Sequence, residues 1–149
     1  MRRLLLLLCG VLCGVAQASP EDADALKAAA DQAFVDGDYA LALRRLDAAY
    51  AADPRPGLIA NRALILEKLG QYAEAVVAME RFIASRPTLG AESAARAVIA
   101  RLRPEVHILT TPSSVRVSVG GKRLGQTPLR TALLVGRHEL LMEAKGYVS

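Results

Sequence analysis

The apolar residues follow three different patterns along the 149-residue chain. A continuous apolar run extends from Leu4 to Val15 and is interrupted only by glycines. From residue 21 to about residue 104 the chain is rich in Ala and Leu and poor in β-branched residues, which is typical of helices. Further on, Val115, Val117 and Val119 alternate with polar residues, which predicts a strand with one buried face. The patterns therefore predict a helical part followed by a β part.

The helical part contains an internal repeat with an offset of 33 residues. Each copy has a glycine that ends a first helix and a tyrosine that begins a second helix. A small residue lies where the two helices cross, and a proline ends the second helix. These markers are Gly37, Tyr39, Ala42 and Pro54 in the first copy, and Gly70, Tyr72, Ala75 and Pro87 in the second. A period of this length predicts stacked helical hairpins.

These markers resemble the tetratricopeptide repeat (TPR), with one repeat at 23–54 and a second at 56–87. A third segment with helical periodicity, 91–102, is predicted to be an amphipathic capping helix that covers the last apolar face. The resemblance implies that the inner surface of the first helices binds peptides or partner domains. The candidates at the corresponding positions are Lys27, Asp31, Phe34, Leu64, Glu67 and Lys68. Asn61 is a further candidate, because it is an amide on a first helix that could bind a peptide backbone.

The expected binding of peptides at this inner surface has limits and alternatives. Asp31 stands where TPR proteins that clamp a terminal carboxylate have an asparagine, so the resemblance does not extend to that ligand. The alternative interpretation of all seven candidate residues is a solvated helix face without a partner. Two repeats also form only a shallow groove, so the array could instead serve self-association or spacing.

The β part, predicted at 105–149, has an order of motifs that resembles the PEGA domain, a small β-sandwich module associated with the cell envelope. The residues that carry the resemblance are Pro112, the alternating valines before Gly120, Gly125-x-Thr127-Pro128, Gly136-x-His138 and Gly146-Tyr147. Members of that family continue into further strands beyond the Gly-Tyr motif. We therefore expect either a longer chain or a sheet that borrows a strand from a partner at an unpaired edge.

Charge is distributed unevenly between the two parts. Residues 19–104 carry 11 basic and 12 acidic side chains, whereas residues 105–149 carry six basic and three acidic ones. The basic set could bind an anionic envelope polymer or lipid surface, or it could serve only solubility and edge protection. Its members are Arg116, Lys122, Arg123, Arg130, Arg137 and Lys145.

The N-terminus has the features of a secretory signal peptide. Arg2 and Arg3 precede the apolar run, which is too short to span a bilayer, and Ala16-Gln17-Ala18 has the small-x-small pattern of a cleavage site. We predict cleavage after Ala18 and a location in the periplasm or cell envelope of a bacterium. Both cysteines, Cys9 and Cys13, lie within this segment, so the mature chain would contain no disulfide and no cysteine nucleophile.

Catalysis and cofactor binding are not expected from this sequence. It contains no phosphate-binding loop, zinc-protease motif or dinucleotide fingerprint, and its only histidines, His107 and His138, make a weak basis for a metal site. A net charge near +2 after the signal segment and the absence of Trp argue against a nucleic-acid partner.

The sequence thus predicts an α+β chain in separate parts, with a TPR-like helical solenoid followed by a small antiparallel β-sandwich-like module. The predicted function is a non-catalytic exported adaptor or scaffold that contacts protein or peptide partners or the cell envelope. Two alternatives remain open at this point. The chain could be a fragment of a larger regulatory envelope protein, or it could be an accessory module with a weak carbohydrate-binding site.

Overall fold

The computed structural model describes residues 20–146. The predicted signal peptide and Tyr147 of the Gly-Tyr motif lie outside the described residues. Five helices are followed by five strands, in agreement with the predicted fold class. The helices are α1 (Pro20–Val35), α2 (Tyr39–Ala52), α3 (Pro56–Lys68), α4 (Tyr72–Ala84) and α5 (Leu89–Leu102). The strands are β1 (Glu105–Ile108), β2 (Arg116–Val119), β3 (Lys122–Gln126), β4 (Leu129–Ala132) and β5 (Leu140–Glu143).

The helices form consecutive hairpins because short polar connections interrupt the apolar pattern at regular intervals. Gly37 and Gly70 have φ values of 82° and 74°, a backbone conformation in which a glycine is the least strained residue. The tyrosines that follow begin α2 and α4, as predicted. Each helix packs against the next along the chain, so α1 to α5 form one continuous array.

Alanines allow the close approach of the helices. Ala42 and Ala75, the predicted crossing residues, are fully buried. One apolar cluster lies between α1, α2 and α3 around Leu46, and a second lies between α3, α4 and α5 around Leu66 and Phe82. The two alanine markers of the repeat are therefore packing positions of the core, as the sequence pattern indicates.

The β module consists of two small antiparallel sheets. One sheet pairs β1 with β4, and the other has the strand order β3-β2-β5. Gly120 and Gly121, both with positive φ, form the tight turn between β2 and β3. Val115 and Val117 are buried on the predicted dry face, whereas Arg116 is exposed on the other.

The β module is joined to the helices by more than the chain connection. The Val135 backbone N–H donates to the Leu102 carbonyl at 2.8 Å, and the Leu133 N–H donates to the Pro104 carbonyl at 3.2 Å. Leu134 and Val135 pack against the second helical cluster. The apolar end of the solenoid is therefore covered by α5 together with the segment after β4. The sequence predicted only the helix in this role.

Candidate functional site

The inner surface of the first helices of the two hairpins contains a groove, which we call the A-helix groove. It has a volume of about 190 Å³. Four of the seven predicted partner-binding residues line it, together with three apolar residues of the core. The lining is Ala30, Asp31, Phe34, Leu46, Asn61, Leu64 and Ile65. The tertiary structure thus brings residues of α1 and α3 together that are about 30 positions apart in the sequence.

Apolar and polar groups have separate places in this groove. Phe34 is half-buried and packs against Tyr39, with ring centroids 5.3 Å apart, which fixes the aromatic wall. Leu64 on the opposite wall is 41% exposed. Asn61 lines the groove one helical turn before Leu64 on α3, and its amide has no hydrogen-bond partner among residues 20–146. An amide can donate and accept at once, so this side chain can bind the backbone of an incoming peptide.

Lys27 does not present a free cation to the groove. Its Nζ atom lies 2.6 Å from Asp31 Oδ2, one helical turn away on α1. The ion pair neutralises Lys27 and occupies one of the two Asp31 oxygens.

Glu67 and Lys68 lie outside the A-helix groove. Both carboxylate oxygens of Glu67 accept hydrogen bonds from the Arg101 guanidinium, which joins α3 to α5. The hydrogen bond to Glu67 raises the pKa of Arg101 above its ordinary value. Lys68 is exposed in the last turn of α3. Glu67 therefore stabilises the packing of the helices and does not face the groove.

A second and larger cavity lies between the second helices of the hairpins, and we call it the B-helix cleft. Its volume is about 640 Å³, its floor belongs to α3, and its walls belong to α2 and α4. Val77 is 62% exposed on its α4 wall. Arg81 donates to the Tyr50 hydroxyl at 3.0 Å and lies over the Tyr50 ring.

None of the residues that line this cleft was predicted from the sequence as a binding residue. Val77 corresponds to Arg44 when the two copies are superposed at their offset of 33 residues. The second repeat therefore has an exposed apolar side chain where the first repeat has a charge.

The six basic residues of the β module do not form a single patch. Arg116 and Lys145 line one cavity, but Arg116 also lies 3.3 Å from Glu143 on the neighbouring strand. Lys122 borders a different cavity, between α4 and the β module. Arg123 lies on β3, Arg130 lies on β4 and Arg137 lies in the loop before β5. Any contact with an anionic surface would therefore use several separate positions.

The two histidines have structural surroundings. His138 Nε2 lies 2.6 Å from the Leu134 carbonyl oxygen, so the ring bonds locally, as its motif position predicts. His107 is exposed on the face of β1 opposite Val106 and Ile108. In the part of the chain that the structure describes, no group of three or more His, Cys, Asp or Glu side chains is placed to hold a metal ion. Within the same residues, no helix has both the length and the apolar character needed to cross a membrane.

Comparisons with known proteins found a family match for the β part and a structural neighbour. The PEGA domain family model matches residues 103–149. The β part of the chain is therefore similar to the PEGA domain. A TPR-like structural neighbour of the helical part is the first TPR of Spaghetti (RPAP3) bound to the HSP90 peptide SRMEEVD. It is 27% identical, has a TM-score of 0.48, and the match covers 58% of this chain and 73% of that chain. No curated protein sequence matches the chain.

Stacked helical hairpins present extended surfaces on which other proteins can bind. The family match confirms the predicted resemblance of the β part to the PEGA domain. The helical hairpins of the structure lie at the positions that the repeat predicted. Export and the bacterial source stay predictions.

Proposed function

We propose that the protein is a non-catalytic exported adaptor whose A-helix groove binds a peptide segment of a partner protein. The observation that carries this proposal is that the Asn61 amide, without a hydrogen-bond partner among residues 20–146, lines a groove whose apolar walls include Phe34 and Leu64. The walls favour an apolar side chain of the partner, because exposed apolar area is removed from water on binding. The amide favours a peptide, because a bound segment in the groove brings backbone N–H and C=O groups that need partners.

The charges of the groove specify the partner further. Lys27 is neutralised by Asp31, and the second Asp31 oxygen remains directed to solvent or ligand. A terminal carboxylate on the partner would meet this anionic oxygen without a free cation beside it. The groove therefore favours an internal segment with an apolar anchor and a nearby hydrogen-bond donor or cation.

A phage-displayed library of random peptides tests the proposal directly on the full chain. We expect enrichment of peptides with one shared apolar position. Leu64→Glu and Asn61→Ala should each lower the affinity for these peptides by about tenfold, which corresponds to about 1.4 kcal/mol. Arg44→Glu on the exposed face of α2 is the matched control and should bind like the wild type. Failure to enrich any sequence, or enrichment that both groove variants retain, contradicts the proposal.

A second contact, with the cell envelope, is favoured by the excess of basic side chains in the β module. Lys122 and Lys145 have no ion-pair partner among residues 20–146, whereas Arg116 is paired with Glu143. We expect binding to vesicles that contain anionic lipid, with an affinity that falls as salt increases. Lys122→Glu combined with Lys145→Glu should weaken binding more than Arg116→Gln. Equal binding to neutral vesicles would contradict an electrostatic contact.

The export part of the proposal rests on the N-terminal sequence alone. The intact mass of the protein from its own host, measured after cell fractionation, provides the test. We expect a periplasmic species that begins at Ser19. A retained N-terminus would contradict cleavage after Ala18. A mass larger than that of residues 19–149 would instead favour the alternative of a larger regulatory envelope protein.

A further inference from the structure

The exposed face of α4 carries opposite charges at equal distances from an apolar centre. Glu74 and Arg81 both line the B-helix cleft, and Val77 and Ala78 lie between them on the same wall. Residues seven positions apart lie on the same side of a helix and are separated by about 10 Å along its axis. Ala78 is buried in the helical core, whereas Val77 is exposed, so the order along the exposed face is anion, Val77, cation.

This order is self-complementary under a two-fold axis. If a second α4 lies antiparallel on the first, with the axis between positions 77 and 78, Glu74 of each copy faces Arg81 of the other. The exposed Val77 side chains of the two copies then meet beside the axis. Two ion pairs and one apolar contact form at once, as an isologous interface requires.

The shape of this face fits the same arrangement. Val77 is a ridge, because it also borders the cavity of about 400 Å³ between α4 and the β module. The B-helix cleft lies along the other side of that ridge and is lined mostly by apolar atoms of Leu46, Leu58, Ile59 and Ala73. In an antiparallel pair, the ridge of each copy can therefore pack into the groove of the other copy.

The charges of this face are available for such a contact. Among residues 20–146, Glu74 has no ion-pair partner, and Arg81 contacts only the Tyr50 hydroxyl and ring. The contact with Tyr50 holds the guanidinium at the edge of the cleft, so part of its conformational freedom is already lost before association. The equivalent helix of the first repeat has Leu41, Arg44 and Ala48 at these three positions and lacks the pattern.

We propose that the chain forms a homodimer through this face, with α4 packed antiparallel on α4 of a second copy. The interface uses Glu74, Val77 and Arg81 and leaves the A-helix groove, on the other side of the hairpins, open. A dimer would thus present two grooves and two β modules. The inference is independent of any peptide that the groove binds.

Sedimentation equilibrium of the full chain tests the proposal through charge reversal. We expect a monomer–dimer equilibrium with a dissociation constant below about 100 µM. Glu74→Arg alone, or Arg81→Glu alone, places like charges at both ends of the two-fold interface. Each single variant should raise the dissociation constant by at least about tenfold.

A mixture of these two variants provides the decisive comparison. In the heterodimer, Arg at position 74 faces Glu at position 81, and Arg81 faces Glu74, so both contacts are attractive again. We expect the mixture to regain wild-type association, a result that loss of folding or non-specific aggregation cannot produce. Val77→Arg, which gives repeat two the residue of repeat one, should abolish the dimer, whereas Arg44→Glu should not affect it. A monomeric wild type, or single reversals that leave association unchanged, would overturn the proposal.

Discussion

At the scale of single residues, Thr127 organises the β module more than any other polar side chain. It is the buried polar residue of the described chain, with 3% of its surface exposed. Its hydroxyl accepts from the Val115 backbone N–H at 3.1 Å and shares a hydrogen bond with the Thr110 hydroxyl. Its own backbone bonds to residues 114 and 115 on the adjoining segment. The Gly-x-Thr-Pro motif therefore has a structural role that the sequence alone did not assign.

Replacing Thr127 with valine keeps the shape of the side chain and removes the hydroxyl. The Val115 N–H then loses a buried acceptor, which we expect to reduce the free energy of unfolding by about 1 to 3 kcal/mol. Amide hydrogen exchange measured by NMR should show faster exchange at Val115. Thr131→Val, on a half-exposed position of β4 without such a contact, is the control. Unchanged protection at Val115 would refute the role of the hydroxyl.

At the scale of elements, the two hairpins differ in how their second helices begin. The Asp38 side chain accepts a hydrogen bond from the Leu41 N–H at 2.9 Å and caps α2. Gln71 has the same place before α4 and makes no side-chain cap. The second hairpin compensates with the larger apolar surface of α4, where Val76, Met79 and Phe82 are buried.

Because only α2 has a side-chain cap, we expect substitutions at Asp38 and Gln71 to change the free energy of unfolding in opposite directions. Asp38→Ala should lower the free energy of unfolding by about 0.5 to 2 kcal/mol, because a first-turn N–H of α2 loses its partner. Gln71→Asp should raise it by a similar amount, since it introduces a cap where none exists. Gln71→Ala should have little effect. Urea unfolding followed by circular dichroism measures all three, and a destabilising Gln71→Asp would show that the two turns are not equivalent.

At the scale of the whole molecule, the segment after β4 packs the β module against the helical array. Leu134 and Val135 cover the second helical cluster, and the His138 ring fixes the backbone at Leu134. The β module buries few large side chains, and small β modules are only marginally stable alone. Part of its stability therefore depends on the helices.

Calorimetry can test whether the stability of the β module depends on its contact with the helices. We expect the wild type to show one unfolding transition. Leu134→Asp with Val135→Asp should split it into a β transition at lower temperature and a helical transition, because carboxylates cannot be buried against the apolar cluster without a large cost. Arg137→Asp, on an exposed position of the same loop, should preserve the single transition. Two transitions in the wild type would mean that the contact contributes little.

The sequence by itself determined the elements and their order. The positive-φ glycines, the crossing alanines and the alternating valines each specify a local conformation or a buried position, and such constraints act over a few residues. For the same reason six of the seven candidate residues of the inner surface could be named from the repeat register. Only the tertiary structure decided which of them share a groove, since Asn61 and Phe34 meet through the packing of α3 on the first hairpin.

The tertiary structure also gave the roles of residues for which the sequence pattern predicted none or a different one. Glu67 accepts hydrogen bonds from Arg101 and so joins α3 to α5. The segment after β4 covers the end of the solenoid together with α5, and Val77 lies between two cavities. These roles depend on contacts between residues far apart in the chain, and no local pattern contains that information. The sequence thus fixes which surfaces the helices and strands possess, and packing decides which of those surfaces stay open to a partner.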